Sequence, residues 1–107
     1  VSDQSADEET VESPDETLTE LFARIEDRRE TLPEDSYTAS LFTHEKGEDA
    51  ILEKLGEEST ELVLAAKNDD ETAIREESAD LVYHLLVLLA AEGVSLDELQ
   101  TTLRERF

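Results

Sequence analysis

The sequence has no cysteine, no methionine and no tryptophan, and only three glycines and two prolines. Without cysteine, disulfides and thiolate metal sites are excluded, so any metal must be held by oxygen or by His44 and His84. So few Gly and Pro residues leave few breaks for a many-stranded fold. Cations are also scarce. Nine Lys and Arg face 30 Asp and Glu, a formal charge of −21, and the only lysines are Lys46, Lys54 and Lys67. Such a surface repels nucleic acid and anionic membranes, which both require cationic contacts, so neither is expected as a partner. Acidity spread through a periodic chain fits adaptation to a salty medium, where salt screens the self-repulsion. Long hydrophobic runs are missing as well. The longest, Leu81 to Ala91, is interrupted by Tyr83 and His84 and falls well short of the ~20 residues of a membrane span. No signal peptide is visible, and together with the missing cysteines this fits a cytoplasmic protein.

What remains is one small domain of helical pattern. Residues 1–16 are acidic and aperiodic and read as a disordered tail ahead of a domain over 17–107. A first helix is expected from Thr17 to Arg29, opened by a capping box of Thr17 and Glu20, with Leu18, Leu21, Phe22 and Ile25 as its apolar stripe. Pro33 to Ser36 marks a loop, and Tyr37 to Lys46 is ambiguous, compatible with a short turn of helix. A second long helix is expected over Asp49–Lys67, ended by Asn68, Asp69 and Asp70. A third is expected over Glu71–Glu92, stopped by Gly93. A last helix opens on the Ser95/Glu98 capping box. The expected fold is therefore all-α, an antiparallel bundle of about four helices. The third helix is apolar nearly all round between Leu81 and Ala91, and three short neighbours cover it poorly, so the bundle is expected to be completed by a homodimer.

The chemistry-bearing pattern lies on the two long helices. At 100° per residue, Lys54, Glu57, Glu58 and Glu61 fall at about 0°, −60°, +40° and −20°. Ile51, Leu55, Leu62, Ala66 and Val63 fall between about +60° and +180°, so the acidic arc borders the apolar one. Glu58 and Glu61 are i,i+3 neighbours able to share a cation, and Glu77 and Asp80 repeat the spacing on the next helix. The segment Leu62–Glu76 is long enough for a tight turn and return, which brings the four carboxylates face to face. Four acids in a partly buried groove require a compensating charge. All-oxygen ligation favours Mg²⁺, with Mn²⁺ as the alternative. Against this stands chance: in so acidic a chain such pairs recur, as Glu12 and Asp15 show, and one pair alone is better read as a solvated face. Two pairs beside the core, with Lys54 in register, favour the metal reading.

The E-x-x-E plus E-x-x-D pattern resembles the all-α nucleoside-triphosphate pyrophosphohydrolases of the MazG-like superfamily. A longer likeness is narrower. Ser36-Tyr37-Thr38-Ala39, Lys54-Leu55-Gly56-Glu57-Glu58, Ala65-Ala66-Lys67-Asn68 and Asp80 through Leu89 resemble, in order, the phosphoribosyl-ATP pyrophosphatase family. The likeness covers residues 18–106. It implies Mg²⁺-dependent hydrolysis of phosphoribosyl-ATP to phosphoribosyl-AMP and pyrophosphate, the second step of histidine biosynthesis, with Glu58, Glu61, Glu77 and Asp80 as metal ligands. Ala50 and Glu53 depart from it, since the family often carries basic residues there. That leaves Lys54 as the main cation of its helix, positioned to neutralise the leaving pyrophosphate. Glu57 is the candidate acceptor of the water's proton.

Weaker substrate-binding candidates are Tyr37, Thr38, Lys67, Asn68 and His84. For Tyr37 and Thr38 a loop-anchoring role is an equal alternative. Lys67 and Asn68 fit a helix C-terminus better, where a cation offsets the dipole. His84, one turn beyond Asp80, fits a buried, hydrogen-bonded histidine better than a substrate contact. Two other functions compete: a house-cleaning pyrophosphohydrolase for ordinary or damaged nucleotides, and a non-enzymatic acidic helical interaction module.

Overall fold

The computed structural model describes residues 15–107, so the expected tail lies outside the described residues apart from Asp15 and Glu16. Five helices follow: α1 (Thr17–Thr31), α2 (Tyr37–Phe42), α3 (Asp49–Lys67), α4 (Glu71–Glu92) and α5 (Leu96–Arg106). No strand occurs among the described residues. α3 and α4 form the dominant pair, joined by a three-residue turn in which Asp69 takes the left-handed conformation (φ 54°). Asp70 then caps α4, its Oδ1 accepting from the Ala73 N–H at 3.0 Å. α4 ends at Gly93 (φ 74°), a conformation that favours glycine, and the Val94 N–H reaches back to the Leu89 carbonyl. The expected Ser95/Glu98 capping box is formed in both directions, and the chain bends by 110° between α4 and α5.

α1 starts at Thr17 as expected, but its cap differs. Thr17 lies inside the helix and makes no capping box with Glu20. Instead the Asp15 carboxylate accepts from the Thr17 N–H and hydroxyl at 2.9 and 2.6 Å. Asp is as good a cap as Thr, and the residue two positions earlier takes the role. The extra element is α2. Six residues are too few to show a helical period, but Ser36 caps it through the Ala39 N–H at 3.1 Å.

The core gathers Phe22 and Ile25 of α1, Leu41 of α2, Ile51 of α3, Leu86, Val87 and Ala90 of α4, and Leu96 of α5. No single helix among the described residues is long and apolar enough to cross a membrane.

On α3 the buried face lies at the border of the acidic and apolar arcs rather than at the centre of the apolar one. Ala50, Ile51, Glu58 and Ala65 are the buried residues, which centres the covered face at about +20°. α4 therefore packs on that border, which takes in Glu58 as well as Ile51. Leu55 and Leu62 are half-buried, and the far side of the apolar arc is left open, with Leu52 at 46 % and Val63 at 60 % exposure.

Candidate active site

The packing of α3 on α4 decides which carboxylates meet. Numbers rise along α3 as they fall along α4: Glu58 pairs with His84, and Glu61 lies against Glu77. The two i,i+3 pairs thus face each other, as the spacing predicts. Their environments differ. Glu58 is buried, Glu77 is half-buried, and Glu61 and Asp80 are exposed. Glu77 Oε1 is cut off from solvent and has no hydrogen-bond partner.

The electrostatics follow from this crowding. The Glu77 pKa is raised above the ordinary carboxylate value, first by the hydrogen bond that a protonated Glu77 makes with Glu61, then by burial and by the charges of Glu61, Asp80 and Glu58. That hydrogen bond exists only while one carboxyl keeps its proton. With both ionised, Glu77 Oε1 is the orphan described above. A folded-state pKa above the unfolded value means that ionising Glu77 opposes folding. The favourable contribution is complete below the unfolded carboxylate range and is lost as pH rises through the raised folded value. Glu77→Gln is therefore expected to raise the Tm of metal-free protein at neutral pH and to flatten its rise on acidification. An unchanged or lower neutral-pH Tm in thermal melts would contradict this. Among the described residues, no group of three or more His, Asp or Glu side chains already stands in a metal-holding arrangement.

Beside the carboxylates lies a cleft of about 220 Å³ lined by Tyr37, Ser40, Leu41, His44, Ala50, Glu53, Lys54 and Glu57. Lys54 Nζ is 3.5 Å from Glu57 Oε1, and both side chains are exposed. The Lys54 pKa lies above its ordinary value, through the Tyr37 oxygen once that is ionised and through Glu57, so the ammonium stays charged wherever the protein works. Tyr37 is itself raised, mainly by burial, and keeps its proton. Two larger clefts, of about 430 and 360 Å³, are lined by none of the candidate catalytic, metal or substrate-binding residues. Size is not the guide here; the smaller cleft adjoins the acids and the one lysine in register.

The weaker candidates divide. Tyr37, at the start of α2, is 52 % exposed and opens onto the cleft. Thr38 is turned inward, its hydroxyl hydrogen-bonded to the Tyr83 hydroxyl, which is the anchoring role. His84 is 4 % exposed, with both ring nitrogens engaged, Nδ1 at 2.6 Å from Glu58 Oε1 and Nε2 at 3.1 Å from the Tyr37 hydroxyl. Lys67 and Asn68 stand exposed at the end of α3, about two turns past Glu61. There the Asn68 N–H caps the Leu64 carbonyl at 3.0 Å. Sequence reasoning missed Tyr83, which stacks on Tyr37 at 6.3 Å, and the cleft residue Ser40, and named His44 only as a possible metal ligand. Nothing in the spacing of Ser40 and His44 marks the cleft, because α2 and the loop after it carry no periodic signal, and Tyr83 is hidden in the apolar run of α4.

Known proteins extend the comparison. The family described as PRA-PH, phosphoribosyl-ATP pyrophosphohydrolase, matches residues 18–107. A phosphoribosyl-ATP pyrophosphatase of Haloarcula marismortui is 64 % identical over 91 residues, covering 85 % of this chain and 93 % of that one. The protein of the same name from Natronomonas pharaonis is 63 % identical over 92 residues, 86 % of this chain and 91 % of that one. That of Bacillus cytotoxicus is 47 % identical over 92 residues, 86 % and 84 % respectively. The matched segment holds all five helices but for Thr17, and every residue of the site, and the chain belongs to the phosphoribosyl-ATP pyrophosphohydrolase family of enzymes.

Proposed function

We propose that this chain hydrolyses phosphoribosyl-ATP to phosphoribosyl-AMP and pyrophosphate, the second step of histidine biosynthesis, with Mg²⁺ held by Glu58, Glu61, Glu77 and Asp80. The family carries the substrate. The observation that carries the metal is Glu77 Oε1, buried, unpartnered and crowded by three other acids. An all-carboxylate donor set of this kind fits a hard divalent cation, and Mn²⁺ would suit the same donors. Bound there, the cation would neutralise phosphate charge and lower the pKa of a water.

The chain's own residues do the rest. Lys54 holds a fixed positive charge at the cleft, where the leaving pyrophosphate gathers negative charge. Glu57 Oε1 is turned to Lys54, which leaves Oε2 to take the proton of the attacking water. One P–O bond forms to that water, the phosphoanhydride P–O bond breaks, and the electron pair leaves on pyrophosphate. Tyr37, neutral and half in solvent, lines the cleft with its ring, while its hydroxyl is held by His84 Nε2. A house-cleaning nucleotide hydrolase would share the acids and differ in preference. The separating experiment compares kcat/KM for phosphoribosyl-ATP with that for free nucleoside triphosphates. At least about a hundredfold preference for the former, some 2.7 kcal/mol of differential transition-state binding, is expected. Equal values would reject the assignment.

We further propose a homodimer in a salt-rich cytoplasm. The open apolar arc of α3, with Leu52 and Val63, and the exposed Val82 of α4 are surfaces that a second copy would cover. Val63→Lys is expected to shift the chain to monomer in sedimentation velocity, and a wild-type chain that is monomeric at micromolar concentration would reject the dimer. The −21 charge predicts that Tm falls as KCl is lowered. Because a Debye length of about 3 Å at 1 M grows to about 10 Å at 0.1 M, a salt-independent Tm would remove the adaptation.

A further inference from the structure

His84 is not accounted for by the chemistry above. It is a nearly fully buried histidine on the helix that carries Asp80, and it reaches across to the helix that carries Glu58. Its Nδ1 faces two acceptors, Glu58 Oε1 at 2.6 Å and the backbone carbonyl of Asp80 at 3.1 Å. Two acceptors at one nitrogen require a proton there. In the neutral ring Nε2 is then a lone pair, and the Tyr37 hydroxyl donates to it at 3.1 Å. The ring has no freedom to turn, because Tyr83 meets it edge-on at 4.8 Å and Tyr37 at 6.0 Å. Glu58, with a side chain only 11 % exposed, therefore has one carboxylate oxygen fixed by a clamped donor and the other left for a ligand.

We propose that His84 is a positioning residue for the Glu58 carboxylate: its Nδ1–H fixes Oε1, so that Oε2 is presented to a divalent cation without a search over rotamers. The inference rests on the metal reading above and adds to it a residue that touches neither cation nor substrate. Ligand carboxylates oriented by such hydrogen bonds lose about 10- to 100-fold in metal affinity when the partner is removed. The bond also ties the two ligand-bearing helices together at the depth of the site, since one N–H is shared between Glu58 on α3 and the Asp80 carbonyl on α4.

The test is Mn²⁺ titration of the full chain followed by EPR, without nucleotide and in high salt. His84→Phe, which keeps a ring and loses the donor, is expected to weaken Mn²⁺ binding about tenfold or more. His84→Asn places an amide N–H close to the Nδ1 position and is expected to return affinity to within about threefold of wild type. Wild-type affinity in His84→Phe, or no gain of His84→Asn over His84→Phe, overturns the proposal. If His84→Phe fails to fold by circular dichroism, His84→Gln replaces it. Its amide reaches the Nε2 position instead of Nδ1, so weaker binding than His84→Asn supports the role and equal binding overturns it. A wild-type chain that binds no Mn²⁺ overturns the metal reading and this role with it, an outcome distinct from the loss of the His84 effect alone.

Discussion

Asp80→Asn is expected to lower pyrophosphate release by about 10²- to 10³-fold while leaving the fold intact. The substitution keeps shape and helix and removes one charge. If Asp80 holds a cation that neutralises the departing phosphate, its loss costs about 3 to 4 kcal/mol of transition-state stabilisation. Stability should not fall with activity. Asp80 is exposed on α4 and is one of the charges that raise the Glu77 pKa, so its removal relieves repulsion. Activity lost at an equal or higher Tm separates a working carboxylate from a structural one. Turnover at the wild-type rate would show that Asp80 is a solvated helix charge, the bland reading of an E-x-x-D pair in an acidic chain.

Leu86→Ala carries the largest expected effect on stability. Leu86 is 1 % exposed within the cluster that joins α1, α2, α3, α4 and α5. It lies on α4 two residues past His84, and it packs the helix that presents Asp80 and Glu77. Truncating a fully buried leucine costs about 2–5 kcal/mol, the transfer of the lost methyl groups plus the cavity. For a domain of this size that lowers Tm by roughly 10 °C or more. Thermal melts in high salt measure it. A loss below about 1 kcal/mol would mean that Leu86 is not enclosed as described.

Much of this architecture was legible before any coordinates. The bounds of α3 and α4, the Gly93 stop and the Ser95/Glu98 box follow from signals that act locally: a polar cap, a helical period, a residue free to adopt positive φ. The start of α1 at Thr17 is legible too, but its cap is not, because Asp15 and Thr17 are both good caps two residues apart, and only the hydrogen bonds choose between them. α2 is left ambiguous by the sequence, compatible with a short turn of helix and no more, because its stability is tertiary, through Thr38 on Tyr83 and Leu41 in the core, over a span too short for periodicity.

The site was legible in part. The face-to-face carboxylates follow from spacing and one tight turn. What spacing does not give is which side of α3 is covered, since the wheel shows arcs and not neighbours. α4 packs on the border of the two arcs because Ile51, Glu58 and Ala65 line up there, and the far side of the apolar arc with Val63 is left open. The same choice buries Glu58 against His84, a pairing 26 residues apart that no local pattern encodes. In a chain with 30 acids, a glutamate destined for burial looks like any other until its partner is known.

The central claim, that these carboxylates serve a metal-dependent phosphoanhydride hydrolysis, is tested most directly by one assay. Pyrophosphate release from phosphoribosyl-ATP is followed in high salt, first after chelation and then with Mg²⁺ restored. Release that is absent after chelation and recovers with Mg²⁺ is the predicted result. Equal release in both, or none in either, would contradict it.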